Sequence, residues 1–156
     1  GGLKLLMSNR SLQDSATTML MDAHRRPEPM VEAGIWLAAN GIRCAVDISD
    51  GLIDDLTRIC IASGVGAKLQ LSKLPVDPEL KSIFPDKWRD MALGGGEGYQ
   101  LAFTIPTNVL KEIQNSTEIS VIEIGQIIAG DPKVILLDSA GTEATLCSTG
   151  FEHFTS

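Results

Sequence analysis

Apolar and polar positions change their period several times along the chain, and each change marks an element. Over residues 42–48, Cys44, Val46 and Ile48 alternate with Arg43, Ala45 and Asp47, which predicts a strand with Asp47 opposite the Val46 face. From Asp50 the period lengthens to that of a helix. Leu52, Ile53, Leu56, Ile59 and Cys60 form one stripe, Asp54, Asp55, Thr57 and Arg58 lie off it, and Ser63-Gly64 ends it. Upstream, residues 11–24 read as a first helix carrying Leu12, Met19 and Leu20, closed by Arg25-Arg26-Pro27. A second helix spans 30–39 and stops at Asn40-Gly41. Gly1-Gly2 reads as linker.

Downstream, a strand over 67–71 leads into a segment with Pro75, Pro78 and Pro85, which predicts one short helix and a loop before Gly94-Gly95-Gly96 breaks the chain. A strand over 99–105, a helix over 107–114 and a strand over 119–128 follow. A hairpin with arms 133–138 and 142–147 then turns at 139–141. Helices and strands mix throughout, so the expected class is α+β, an α/β sandwich with one mixed β-sheet flanked by helices. No solenoid-period repeat or compositional break divides the chain, and one domain suffices.

Composition narrows the function. The 156 residues are 44% hydrophobic, enough for a core, yet no apolar run is long enough to span a bilayer and the amino end has no secretory signature. A cytoplasmic protein is expected. The formal charge of −7, with no cluster of basic residues, argues against nucleic acid or an anionic membrane as partner. An acidic protein that handles phosphate esters calls for metal cations. Cys44, Cys60 and Cys147 stand singly, without zinc spacing, and read as free thiols.

Two segments can carry chemistry. In Asp47-Ile48-Ser49-Asp50-Gly51-Leu52 a strand delivers two carboxylates and a hydroxyl to the start of a helix, where open α/β sheets place ligands. Such hard oxygens suit Mg²⁺, which is held by one or two carboxylates together with water and substrate phosphate. The same letters also suit a helix cap formed by Ser49 or Asp50, which would leave Asp47 unexplained. The second segment, Gly94-Gly95-Gly96-Glu97-Gly98-Tyr99-Gln100, embeds one carboxylate in glycines that permit close backbone approach, or it is a flexible turn with a solvated Glu97. No Gly-Lys-Ser or Gly-Lys-Thr follows, so it is not the phosphate loop of nucleoside-triphosphatases. His24 and His153 lack triad or metal spacing, Trp36 and Trp88 read as packing residues, and Asp54-Asp55 reads as a solvated helix face.

The order of these pieces carries a resemblance. Arg26-Pro27-Glu28-Pro29, the Asp47 to Leu52 segment, Ser63-Gly64-Val65-Gly66-Ala67, Gly95-Gly96-Glu97-Gly98-Tyr99-Gln100-Leu101-Ala102-Phe103-Thr104 and Gly150-Phe151-Glu152-His153-Phe154 together resemble thiamine-monophosphate kinase. That family belongs to the aminoimidazole-ribotide (AIR) synthetase, or PurM-like, superfamily, so the resemblance implies a PurM C-terminal-domain-like fold. It covers the chain from about Arg25 to the end. This divides the sequence into a linker and first helix over 1–24 and an AIR-synthase-type C-terminal domain over 25–156, with the N-terminal ATP-binding domain outside this chain.

The implied reaction is phosphorylation of thiamine monophosphate to thiamine diphosphate by ATP with Mg²⁺. By the same resemblance Asp47 and Asp50 are magnesium ligands, Ser49 contacts the nucleotide phosphates, Glu97 binds the substrate, and Phe151 is an aromatic beside it, as a thiazolium cation would favour. The implied partners are ATP, thiamine monophosphate and the N-terminal domain, which supplies most metal ligands and dimerises the protein. Alone, the chain is then expected to be inactive and at most weakly associated. Gly98, Gln100 and Met30 stand where the family carries aspartate, glutamate and arginine. They keep two alternatives open: another ATP-dependent enzyme of the superfamily, or a degenerate ligand-binding domain.

Overall fold

In the computed structural model, which describes residues 1–8, 15–96, 98–114 and 119–145, the strands divide between two small sheets. The elements in chain order are α1 (Gly2–Met7), α2 (Ser15–Arg25), α3 (Val31–Ala39), β1 (Ala45–Asp47), α4 (Leu52–Ser63), β2 (Gly66–Gln70), a 3₁₀ turn (Leu71–Lys73), α5 (Pro78–Ile83), α6 (Trp88–Leu93), β3 (Leu101–Phe103), α7 (Thr107–Gln114), β4 (Gly125–Ile128) and β5 (Val134–Leu137). This is the α+β mixture expected from the sequence. Strand β2 is central in the order β4-β2-β5, antiparallel to β4 and parallel to β5, which makes this sheet mixed. The other sheet pairs β1 with β3 antiparallel, setting Val46 against Ala102 and Asp47 against Leu101.

Helix α4 joins the two. It packs on β2, β5, α6 and β1, and its Leu56 enters a core with Leu69, Leu71, Leu74, Leu93 and Leu136. The helix ends on Gly64, whose φ of 64° is left-handed, and Val65 N–H reaches back to Cys60 O at 3.1 Å. A separate layer stacks α1 on α2 and α2 on α5 and buries Leu5, Met21 and Leu80.

Besides the division of the strands into two sheets where one was expected, the sequence reading differs from the structure in three places. Residues read as linker form α1, in which Leu5 is 1% exposed. The proline segment holds two helices: Asp77 caps α5 by accepting from Glu79 N–H at 2.9 Å, Pro78 occupies its first turn, and α6 follows from Trp88. Regular pairing of the 119–128 strand is confined to β4. The terminal hairpin does turn as expected: Asp138 N–H bonds Thr142 O at 2.9 Å and Leu137 bridges Glu143. Residues 146 and 147 of the expected outer arm lie outside the described residues.

Candidate functional site

The strand-to-helix turn between β1 and α4 is organised by a residue that lies outside both sequence motifs' predicted site sets. Asp55, in the first turn of α4, is 2% exposed. Its Oδ2 accepts three backbone N–H groups, from Ser49 at 3.0 Å, Asp50 at 3.1 Å and Gly51 at 3.2 Å. Its Oδ1 accepts from Arg58 Nη1 at 3.1 Å. The expectation of a solvated Asp54-Asp55 face is therefore corrected at Asp55. A carboxylate can be buried here because both its oxygens accept from donors and it sits at the positive end of the helix. The signal was available, since Leu52, Asp55, Leu56 and Ile59 follow the i, i+3, i+4, i+7 spacing of a buried helix face.

The same bonds settle the helix-cap alternative. The residue that caps α4 is Gly51, at φ 139° and without a side-chain cap bond, so neither Ser49 nor Asp50 serves as the cap. Asp50, partly exposed, instead accepts from Arg58, whose Nη1 donates to Asp50 Oδ2 as well as to Asp55 Oδ1. The hydrogen bond to Asp50, reinforced by its charge, pushes the Arg58 pKa up. Asp47 ends β1 on an exposed position.

The glycine segment meets this turn directly. A β-carbon on Gly96 would lie 2.0 Å from Ser49 O, and one on Gly51 would lie 3.0 Å from Gly94 C. Only glycines let these two backbones touch. The β1–β3 ladder runs on into the junction, with Ile48 N–H bonding Gln100 O at 2.8 Å and Tyr99 N–H bonding Ile48 O at 3.1 Å. Tyr99 adopts φ 47°, a left-handed conformation costly for a bulky side chain. The two candidate segments, 45 residues apart when counted from Asp50 to Gly95, thus form one place in the fold. Glu97 and Phe151 lie outside the described residues, as do His153 and Cys147.

Residues 1–138 match the family model described as AIR synthase related protein, C-terminal domain. The chain belongs to this family. Thiamine-monophosphate kinase of Bacillus subtilis (strain 168) is 30% identical to this AIR-synthase-related domain over 158 residues, covering 98% of the chain and 48% of the relative. The crystal structure of thiamine-monophosphate kinase from Stenotrophomonas maltophilia K279a superposes with a TM-score of 0.76 at 30% identity, over 92% of this chain and 46% of that one. AaThiL complexed with AMPPCP and TMP gives a TM-score of 0.75 at 29% identity, over 98% and 47% of the two chains. The domain spans about half the length of the curated relatives it matches. These relatives agree with the motif resemblance to a thiamine-monophosphate kinase C-terminal domain.

Proposed function

We propose that this domain forms one half of the active site of an ATP- and Mg²⁺-dependent kinase that converts thiamine monophosphate to thiamine diphosphate. The observation that carries the reading is the junction itself, where the Asp47-to-Leu52 turn and the glycine segment share one backbone contact beside two carboxylates. Relatives named thiamine-monophosphate kinase support the substrate, and AaThiL with AMPPCP and TMP supports the pairing of a nucleotide with a phosphate ester. In the transfer, a phosphate oxygen of thiamine monophosphate attacks the γ-phosphorus of ATP, a new P–O–P bond forms, and ADP leaves with the electrons of the broken bond. Such reactions depend on positioning and charge neutralisation.

Asp47 and Asp50 fit a magnesium site chemically. Both offer hard carboxylate oxygen, and Mg²⁺ takes one or two carboxylates beside substrate phosphate. Among the described residues no three histidine, cysteine or acidic side chains gather as a metal site, which leaves this pair to act with donors from elsewhere. Bound there, the ion would offset negative charge on the phosphates. Ser49, held by its N–H on Asp55, is assigned to the nucleotide phosphates, and Glu97 and Phe151 to the substrate. A further domain of the same polypeptide supplies the remaining ATP and metal contacts, and the whole protein is read as a cytoplasmic homodimer. Among the described residues no helix is long and apolar enough to cross a membrane.

The test is thiamine diphosphate formation by the complete polypeptide that carries this chain, with ATP and Mg²⁺. Asp50→Asn is expected to lower turnover at least tenfold and to raise the Mg²⁺ concentration needed for half-maximal rate. Unchanged activity and metal dependence would remove Asp50 from the site, and ATP consumption driven by another acceptor would move the domain to a different enzyme of its superfamily.

A further inference from the structure

Resting on the metal reading of Asp50, we infer that Arg58 is an internal cation that occupies the Asp50 carboxylate until a divalent ion displaces it. One guanidinium nitrogen, Nη1, is shared between Asp50 Oδ2 and Asp55 Oδ1. The two carboxylates hold it on unequal terms. Asp55 is 2% exposed and its other oxygen is committed to three amides, so losing Arg58 would leave a buried oxygen without its charged partner. The Asp50 side chain is 32% exposed and can be satisfied by water or by a metal.

Mg²⁺ binds carboxylate oxygen at short distance in a nearly octahedral shell. A guanidinium nitrogen in hydrogen-bond contact with that carboxylate repels the ion and occupies space its waters need. A divalent ion entering there would cost Arg58 its contact to the partly exposed Asp50, although that is the shorter of the two, and leave its contact to Asp55, whose loss would strand a buried charge. Arg58, 65% exposed, has room to swing on this anchor. Before metal arrives it also offsets the mutual repulsion of Asp50 and Asp55, the two carboxylates it bonds. Arg58 is thus a positioning residue that lowers the affinity of the empty site for metal.

This role has a distinctive sign. In the complete polypeptide, Mn²⁺ binding followed by the electron paramagnetic resonance of the free ion should tighten about two- to fivefold in Arg58→Met, the scale of displacing one exposed ion pair. Arg58→Lys should fall between Arg58→Met and wild type. A guanidinium that merely props Asp50 in place gives the opposite result: Mn²⁺ binding weakened or unchanged in Arg58→Met overturns the exchange. Asp50→Asn separates this failure from failure of the metal reading. If Asp50→Asn binds Mn²⁺ as wild type does, the metal assignment falls and the exchange falls with it. If Asp50→Asn binds weakly and Arg58→Met does not bind more tightly, only the exchange is lost. Should Arg58→Met fail to fold, the wild-type Arg58 Nε–H resonance decides: it shifts when Mg²⁺ is added, and an unmoved resonance at saturating metal overturns the inference.

Discussion

Asp55 concentrates the energetics of the turn in one side chain. Removing it by Asp55→Ala would leave three backbone donors and Arg58 without their acceptor. With about 1–3 kcal/mol for each donor stranded out of water, and only Gly51 N–H fully buried, a loss of about 3 kcal/mol in urea-unfolding free energy is expected. Asp55→Asn keeps an acceptor oxygen and should lose less than half of that. A change below about 0.5 kcal/mol in Asp55→Ala would show that the turn is held by other contacts. The glycines give a paired test. Gly96→Ala places a β-carbon 2.0 Å from Ser49 O and must push the two segments apart, whereas Gly98 faces open space. Gly98→Ala should stay within about 0.5 kcal/mol of wild type, while Gly96→Ala should cost about 1–3 kcal/mol and reduce nucleotide affinity in the complete polypeptide. Equal effects would separate the glycine segment from the turn. At this scale the place of Asp47, Ser49 and Asp50 at a strand-to-helix turn was legible, because the hydrophobic period changes there from that of a strand to that of a helix. The role of Asp55 was not legible, because adjacent acidic residues off the apolar stripe of a helix ordinarily face water, and only the fold supplies three amides to receive this one.

At the scale of elements, α4 links the core to the site, since the helix whose first turn carries Asp55 also buries Leu56 and Cys60. Its neighbour α6 ends in Leu93, which is 0% exposed inside the leucine cluster, and then runs straight into the glycine segment. Leu93→Ala should therefore lower stability by about 2–5 kcal/mol through the cavity it opens, measured by urea or thermal unfolding. A loss under about 1 kcal/mol would mean that the cluster collapses around the gap. The strongly periodic α4, the helix α7 and the turn at 139–141 could be read from the letters, because hydrophobic spacing and turn chemistry act locally. Helix α1 could not. Gly1-Gly2 suggests freedom, but a β-carbon on Gly2 would sit 2.2 Å from Leu20 O, so the glycine is there to let α1 lie against α2. Nor could the alternation of polar and apolar residues reveal that β1 and β3 form a sheet apart from β4-β2-β5, since strand partners are chosen by tertiary contacts.

The whole molecule sets the limit on what this domain does unaided. Transfer between a triphosphate and a monophosphate brings together two polyanions, and their charge must be neutralised before an oxygen can approach the γ-phosphorus. The domain carries a formal charge of −7, and of Asp47 and Asp50, the two metal ligands proposed above, it holds one against Arg58. Its relatives are about twice as long, so the rest of a metal and nucleotide site has room to lie on their other half. The 156-residue chain, purified alone, is accordingly expected to form no detectable thiamine diphosphate from ATP, Mg²⁺ and thiamine monophosphate, while the complete polypeptide does so. Mixing the chain with the separately produced other half should restore part of the activity, because the junction of the two motifs is built within this domain. Turnover by the chain alone would mean that Asp47, Asp50 and residues beyond those described neutralise the phosphates without help, and the split-site reading would fall.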